Sequence, residues 1–141
     1  MSKVAEFLRG ERPDDVALFL ADSFVDDAGT LADHGETVEG GVVIVVAGDA
    51  GRSAFSTATG MDAMAFARQA MGQDGHVHAD LAGGDCPDDE DGDHHAEFVF
   101  AFAEEQHEDV GGLYAEGDVV HAYAQCSCGT AYSDRWVAGD R

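Results

Sequence analysis

Five consecutive β-branched residues, Val42 to Val46, constrain the fold of this chain more than any other feature of its sequence. Branching at Cβ restricts the side chain in a helix and suits the extended backbone of a strand. No polar residue alternates with the apolar ones, so both faces of the strand are expected to be covered. The sequence therefore predicts a strand buried inside the core.

The second half of the chain shows a strand pattern of a different kind. Between positions 98 and 103, phenylalanine alternates with valine or alanine, which is the period of two of a β-strand. Residues 119–124 and 131–137 are predicted to be two further strands, joined by a turn at residues 126–129. Together the three strands are expected to form an antiparallel meander.

Residues 16–21 form an apolar run that two structures would explain. Pro13, Asp14 and Asp15 precede the run, and proline followed by acids is typical of the first turn of a helix. A short apolar run bounded by acids is typical of a buried strand. The strand is the favoured interpretation.

Helices are predicted over residues 2–9 and 61–71, and a further helical region over residues 50–58. Each has apolar residues that gather on one side at helical spacing. Thr59, with Asp62 three residues later, is predicted to cap the helix of residues 61–71.

These elements predict one α+β domain over residues 1–141, with a mostly antiparallel sheet and one or two helices packed on one face. A length of 141 residues suits one domain and leaves no room for two ordinary ones. Residues 83–95 are rich in glycine and aspartate and carry no apolar anchor, so they are predicted to be a flexible acidic loop.

The chain carries 29 acidic and 7 basic residues, a formal net charge of −22 at pH 7. This charge repels phosphate, so direct binding to nucleic acid or to an anionic membrane is not expected. At molar salt the Debye length falls to roughly 3 Å and the repulsion within the chain is screened. The acids are spread along the chain, which favours a halophilic protein of a salt-rich cytoplasm over an acidic nucleic-acid mimic.

The sequence shows neither an apolar signal core near its start nor an apolar run of the ~20 residues that a membrane span needs. We therefore expect a soluble cytoplasmic protein. In a reducing compartment its three cysteines would not form a disulfide framework. Metal binding, thiol redox chemistry and simple burial are the roles that remain.

The candidate metal ligands are Cys86, Cys126 and Cys128. The Cys-x-Cys pair with a glycine directly after it resembles half of a zinc knuckle, in which the backbone turns amide N–H groups toward sulfur. Zinc is usually held by four thiolate or imidazole ligands, so a fourth ligand is needed. His94 and His95 follow Cys86 by eight and nine residues, and either is expected to supply it.

Two other roles for these cysteines stay open. As free thiols they could be small buried hydrophobic residues, although the acidic sequence around Cys86 makes a core position there unexpected. In a redox role Cys126 and Cys128 would form an exchangeable disulfide, which at this spacing requires a turn. His121 is not expected to join them, because strand parity places it on the opposite face.

Gly51, Arg52 and Ser53 are weaker candidates for binding an anion. They lie in a predicted turn, residues 48–53, between the valine-rich strand and a helix, which is the arrangement that many phosphate binders use. The segment has no lysine and lacks the glycine spacing of a P-loop. A plain β–α connection is the simpler interpretation, with Arg52 able to hold a small anion.

Four segments carry a resemblance to known proteins: Arg12–Leu18, Ala58–Met64, Phe98–Gln106 and Cys126–Trp136. On these residues the chain resembles a small family of uncharacterised haloarchaeal proteins, defined as a domain of unknown function, over essentially its whole length. The resemblance implies a halophilic origin and brings no activity and no site residues with it.

Three functions are compatible with these features. The favoured one is a non-enzymatic, zinc-stabilised module that presents a surface to a protein partner. The second is a thiol-redox or metal-handling protein that uses Cys126 and Cys128. The third is small-anion binding or a hydrolase at the turn of residues 48–53.

Overall fold

The computed structural model describes residues 3–12, 14–21, 35–38, 41–78, 81, 83–86, 95–104, 109 and 111–138. Its strands are β1 Asp15–Ala21, β2 Glu36–Val38, β3 Gly41–Ala47, β4 His76–Val77, β5 Gly84–Asp85, β6 Ala96–Glu104, β7 Val119–Cys126 and β8 Ala131–Val137. Six of them form one sheet in the order β2-β3-β1-β6-β7-β8, with every neighbouring pair antiparallel. Strands β4 and β5 form a second, two-stranded sheet. The predicted α+β fold with a mostly antiparallel sheet is confirmed.

The helices are α1 Lys3–Leu8, α2 Gly48–Thr59, α3 Ala63–Ala70 and α4 Leu113–Glu116. Asp62 caps α3, because its carboxylate accepts a hydrogen bond of 2.9 Å from the backbone N–H of Ala65. The prediction that Thr59 caps this helix is wrong. The Thr59 hydroxyl instead donates to the carbonyl of Phe55 and accepts from the N–H of Met61, which closes the end of α2. No helix within the described ranges is both long and apolar enough to cross a membrane.

The ambiguous apolar run is a strand, as favoured from the sequence. β1 lies between β3 and β6 at the centre of the sheet, and residues 16–21 are buried on both faces. Val16, Leu18 and Leu20 face one core, whereas Ala17 and Phe19 face the other. A central strand is covered on both faces, which explains why polar residues do not alternate with apolar ones in this run. A helix would bury only part of so continuous an apolar run.

Two hydrophobic cores lie on opposite faces of the sheet. On one face, Phe55 of α2 and Phe66 of α3 pack on Phe98 and Phe100 of β6. On the other face, α1 and the segment around the β4–β5 hairpin cover the sheet, contributing the buried residues Phe7, Val77, Leu81 and Cys86. The prediction of one or two helices on one face is therefore met by α2 and α3, and the opposite face has a smaller cover of its own.

Two segments predicted to be irregular contain regular structure among their described residues. Residues 48–53 are not a turn, because α2 begins at Gly48 directly after β3, with Ala47 in an extended conformation at the helix cap. The segment predicted as an acidic loop contains β5 and the buried Cys86 within residues 83–86. Residues 87–94 of that segment lie outside the described residues.

Candidate metal centre

A tight turn between β7 and β8 brings Cys126 and Cys128 to the end of the sheet. The N–H of Cys126 donates to the carbonyl of Thr130, and the N–H of Gly129 donates to the carbonyl of Cys126, each at 2.9 Å. Gly129 has a φ of 93°, a conformation that side chains with a Cβ rarely adopt. Gly129 therefore permits the tight turn that the sequence suggested, but its N–H donates to the carbonyl of Cys126 and not to a sulfur.

The segment before Cys86 reaches the same place by packing along β8. The N–H of Gly75 donates to the carbonyl of Ser133 at 2.9 Å, and the N–H of Val77 donates to the Asp134 carboxylate at 3.1 Å. A Cβ at Gly75 would lie 2.4 Å from the ring of Tyr132, and one at Gly84 would lie 2.5 Å from its hydroxyl. Only glycine at these two positions lets the hairpin lie this close to the sheet.

The three cysteine sulfurs form one cluster. All three Sγ atoms lie within 4.8 Å of one another, and those of Cys86 and Cys128 are 3.8 Å apart. In a tetrahedral site with Zn–S bonds of about 2.3 Å, neighbouring sulfurs lie about 3.8 Å apart. Among the His, Cys, Asp and Glu side chains that the structure describes, these three cysteines form a group able to share one ion.

The environment of Cys128 favours its thiolate. Its side chain is exposed, and its Sγ lies 3.2 Å from the hydroxyl of Thr130. The thiol donates to the Thr130 hydroxyl oxygen, and once the thiol has lost its proton the hydroxyl can donate to the sulfur instead. Hydrogen bonding to the Thr130 side chain and backbone therefore lowers the pKa of Cys128 to about 7. Since metals bind the thiolate and not the thiol, this cysteine needs little energy to become a ligand.

Tyr132 supplies a buried hydroxyl beside the cluster. The residue is fully buried, and its hydroxyl has no hydrogen-bond partner among the described residues. Burial raises the pKa of Tyr132, and negative charge on Cys126 and Cys86 raises it further, so the phenol keeps its proton at neutral pH. An unpaired buried hydroxyl costs about 1–3 kcal/mol. The phenol lies near enough to the cysteines for the negative charge of their thiolates to act on it, although none of the three sulfurs is a hydrogen-bond partner of its hydroxyl.

Either of two histidines, His94 or His95, is expected to complete the site. His94 lies outside the described residues. His95 lies next to the cysteine turn: its carbonyl accepts from the N–H of Ser127 at 2.8 Å, and its N–H donates to the Ser127 hydroxyl at 3.3 Å. Its exposed imidazole is not part of the cluster of three sulfurs. The backbone thus places His95 close by, and a rotation of its side chain would be needed for it to act as the fourth ligand.

His121 does not approach the cysteines, as strand parity predicted. Its ring stacks on Phe102, on the helix-covered face of the sheet, whereas Cys126 belongs to the core on the other face. The irregularity in this part of the ladder lies between Ala96 and Phe98 of β6, so β7 keeps its alternation from His121 to Cys126.

The expectation that Cys86 lies away from any core is wrong. Only 9% of its surface is exposed, and it packs in the same cluster as Val77 and Leu81. The local sequence is acidic, but the residues before it form a hairpin that covers the sheet. Sequence reasoning also missed the roles of Tyr132 and Thr130. The glycines at positions 75 and 84 were the signal for Tyr132, because they let the backbone approach its large side chain.

The weaker anion candidates lie in the first part of α2. Gly51 is buried against β1, where a Cβ would lie 2.0 Å from a methyl group of Val16. Arg52 forms an ion pair with Asp49 one turn earlier in the helix, at 2.5 Å, and Ser53 is exposed. Gly51 thus serves the contact between helix and strand, and the Arg52 guanidinium already has a carboxylate partner.

Replacing Thr130 by valine is expected to raise the pKa of Cys128 from about 7 toward its ordinary value of 9.0. The rise should be partial, because the backbone hydrogen bond of residue 130 remains. At pH 7 a smaller fraction of Cys128 would then be thiolate, and its alkylation by iodoacetamide in metal-free protein should slow several-fold.

The pH dependence of the alkylation rate measures this pKa directly. Ser127→Ala, an exposed substitution in the same turn, is the matched control and should leave the profile of Cys128 unchanged. Identical profiles for Thr130→Val and the unaltered protein would contradict the assigned hydrogen bond.

A family model described as a family of unknown function (DUF5807) matches residues 35–139. All three cysteines lie within the matched residues. No curated protein and no solved structure matches the chain.

Proposed function

The chain belongs to a family of unknown function, DUF5807, and from the chemistry of its own site we propose that it is a zinc-stabilised domain without catalytic activity at the metal. The observation that carries this proposal is the convergence of three cysteine sulfurs, within 4.8 Å of one another, from two distant parts of the chain. Three thiolates with His95 or His94 would form a closed four-ligand set, which is typical of structural rather than catalytic zinc.

The topology supports a structural role for the metal. Cys86 and Cys128 are 42 residues apart in sequence, so a shared ion would close a long loop of chain. Since the ligands lie together only in the folded chain, the ion would bind and stabilise the folded state. Cys86 directly follows the short β4–β5 hairpin, whose two-residue strands contribute little stability of their own.

The first experiment is elemental analysis of the untagged protein, purified in molar KCl without chelator. We expect about one zinc per chain and three thiols that react with a thiol reagent only after chelator is added. Cobalt loaded into the metal-free protein should give the sulfur-to-cobalt charge-transfer absorption of a thiolate site. A protein without metal, whose three thiols titrate freely, would overturn the proposal.

That negative result would favour a thiol-redox function instead. Cys128 is exposed and the sulfur of Cys86 lies 3.8 Å away, so Cys86 is a geometrically suitable partner, whereas the sequence suggested Cys126. In such a reaction the Cys128 thiolate would attack the disulfide of a partner protein and Cys86 would then displace the partner as a dithiol. Both electrons would pass to the partner's sulfurs, leaving a Cys86–Cys128 disulfide in this chain.

The amino-acid composition also supports a proposal about the partner of this protein and the salt concentration in which it works. The net charge of −22 favours a protein partner over nucleic acid. It also favours a cytoplasm that contains molar salt, which screens the repulsion among the carboxylates. Measurements in both low and molar KCl test the salt requirement, since the fold should gain stability as the repulsion among its carboxylates is screened.

A further inference from the structure

A second site lies on the face of the sheet opposite the cysteines. Between α3 and strands β6, β7 and β8 there is a cavity of about 780 Å³. It belongs to the helix-covered face, because Phe102 and Tyr123 on its wall pack with the core of α2 and α3. The residues that determine its chemistry are Met64, Met71, Phe102, Tyr123, Arg68 and Arg135.

The cations of this cavity are unusual in so acidic a chain. Arg9, Arg12 and Arg52 each pair with a carboxylate at 3.1 Å or less. Arg68 and Arg135 form no ion pair with any of the described residues, and both line the cavity. Although acids outnumber bases 29 to 7, these two guanidiniums are left for another anion.

The acids in the lining are engaged elsewhere or lie at the edge. Asp134 accepts hydrogen bonds from the backbone N–H groups of Val77 and Arg135. A carboxylate oxygen of Glu104 lies 3.4 Å from the imidazole of His121. Asp74 is exposed. The fixed contacts of Asp134 and Glu104 direct them toward the backbone and toward His121, which leaves the guanidiniums as the groups with unused hydrogen-bond donors.

The remaining walls are flat and apolar. Phe102 stacks on His121 with ring centroids 5.1 Å apart and on Tyr123 at 5.8 Å, with interplanar angles of 25° and 30°. Burial lowers the pKa of His121, so its ring is uncharged at neutral pH and extends this surface. Met64 and Met71 of the helix side are 45% and 62% exposed, so a bound molecule would remove large apolar side chains from water.

We propose that this cavity binds a small flat aromatic molecule that carries one carboxylate. The aromatic part would lie between the methionines and the Phe102–Tyr123 wall, and the carboxylate would receive hydrogen bonds from Arg68 and Arg135. Guanidinium and carboxylate match in geometry and form short, charge-assisted hydrogen bonds. A cavity of about 780 Å³ is within the usual size of small-molecule sites.

The test uses 2-naphthoate as the probe and 2-naphthamide as its neutral isostere, with binding measured by calorimetry on the full chain. We expect one naphthoate to bind per chain. The amide should bind at least about 10-fold more weakly than naphthoate. Arg68→Met and Arg135→Met should each weaken naphthoate about 10-fold and leave the amide unaffected. Arg52→Met, at an arginine that already has a partner, is the matched control and should change neither affinity.

Both cavity arginines are exposed, so their replacement should not unfold the chain, and the melting temperature of each variant checks this. Equal affinity for naphthoate and the amide would overturn the carboxylate assignment. Naphthoate binding that Arg52→Met weakens as much as Arg68→Met does would overturn the site, as would the absence of binding. The zinc content of the protein does not enter this test, so its outcome is independent of the metal proposal.

Discussion

Replacing Phe55 by alanine is expected to lower the free energy of unfolding by about 3–5 kcal/mol. Phe55 is fully buried between α2 and the sheet. Its ring centroid lies 5.5 Å from that of Phe66, 5.4 Å from that of Phe98 and 5.5 Å from that of Phe100. Truncation removes apolar area from the core and leaves a cavity enclosed by three rings that cannot all move inward.

Urea unfolding in molar KCl measures this effect from the shift of the transition midpoint at constant slope. Met71→Ala removes a large apolar side chain that is 62% exposed, and should change the free energy by less than about 0.5 kcal/mol. Equal losses for the two variants would mean that α2 does not pack on the sheet as described.

Much of the central sheet could be predicted from local sequence, because its apolar runs are stable only when they are buried. The Val42–Val46 run and the 16–21 run offer no polar face to water, so they become β3 and β1 inside the sheet. The alternation between positions 98 and 103 sorts phenylalanines to the helix-covered face and smaller residues to the other. The period of two predicted β6, and the β-branched run predicted β3. The 16–21 run stayed open between helix and strand in the sequence, and its position between β3 and β6 explains why it is a strand.

The candidate site could be predicted only in part, because its geometry depends on contacts between distant segments. The type and spacing of Cys126 and Cys128 indicated a metal, and the hairpin turn between them was visible in the sequence. The burial of Cys86 was not, since it results from the fit of Gly75 and Gly84 against Tyr132. Local composition around Cys86 is acidic and gives no sign of a core that forms through those glycines.

The start of α2 shows a second kind of limit. Glycine and aspartate at positions 48 and 49 are typical of a turn, yet both belong to the helix. Asp49 lies in the first turn, where a carboxylate interacts favourably with the helix dipole, and it also pairs with Arg52. Gly51 allows the helix to approach Val16 of β1. The tertiary contact therefore explains residues that local propensity assigns to a loop.

Replacing Cys128 by serine is expected to remove the metal and with it about 3–4 kcal/mol of stability, for free zinc at 100 to 1,000 times its dissociation constant. Cys128 is exposed, so the substitution disturbs no packing and its effect should arise from the lost ligand. Chelator should lower the stability of the unaltered protein by the same amount and should have no further effect on the variant. Ser53→Ala, an exposed substitution in α2 far from the cysteines, should keep both the zinc and the response to chelator.

A second substitution separates a metal ligand from a buried thiol. Cys86→Ser should also release the metal, and the double variant Cys86→Ser/Cys128→Ser should lose clearly less stability than the sum of the two single losses. One ion accounts for both losses, so the two effects cannot add. If the thiols were inert, Cys128→Ser would leave the free energy of unfolding unchanged, because its side chain is exposed. Cys86→Ser would then lose only the stability that its own packing provides. The loss in the double variant would be the sum of the two single losses. Additive losses that chelator does not alter would therefore exclude a shared metal, whereas losses that do not add, and that chelator reproduces, require one.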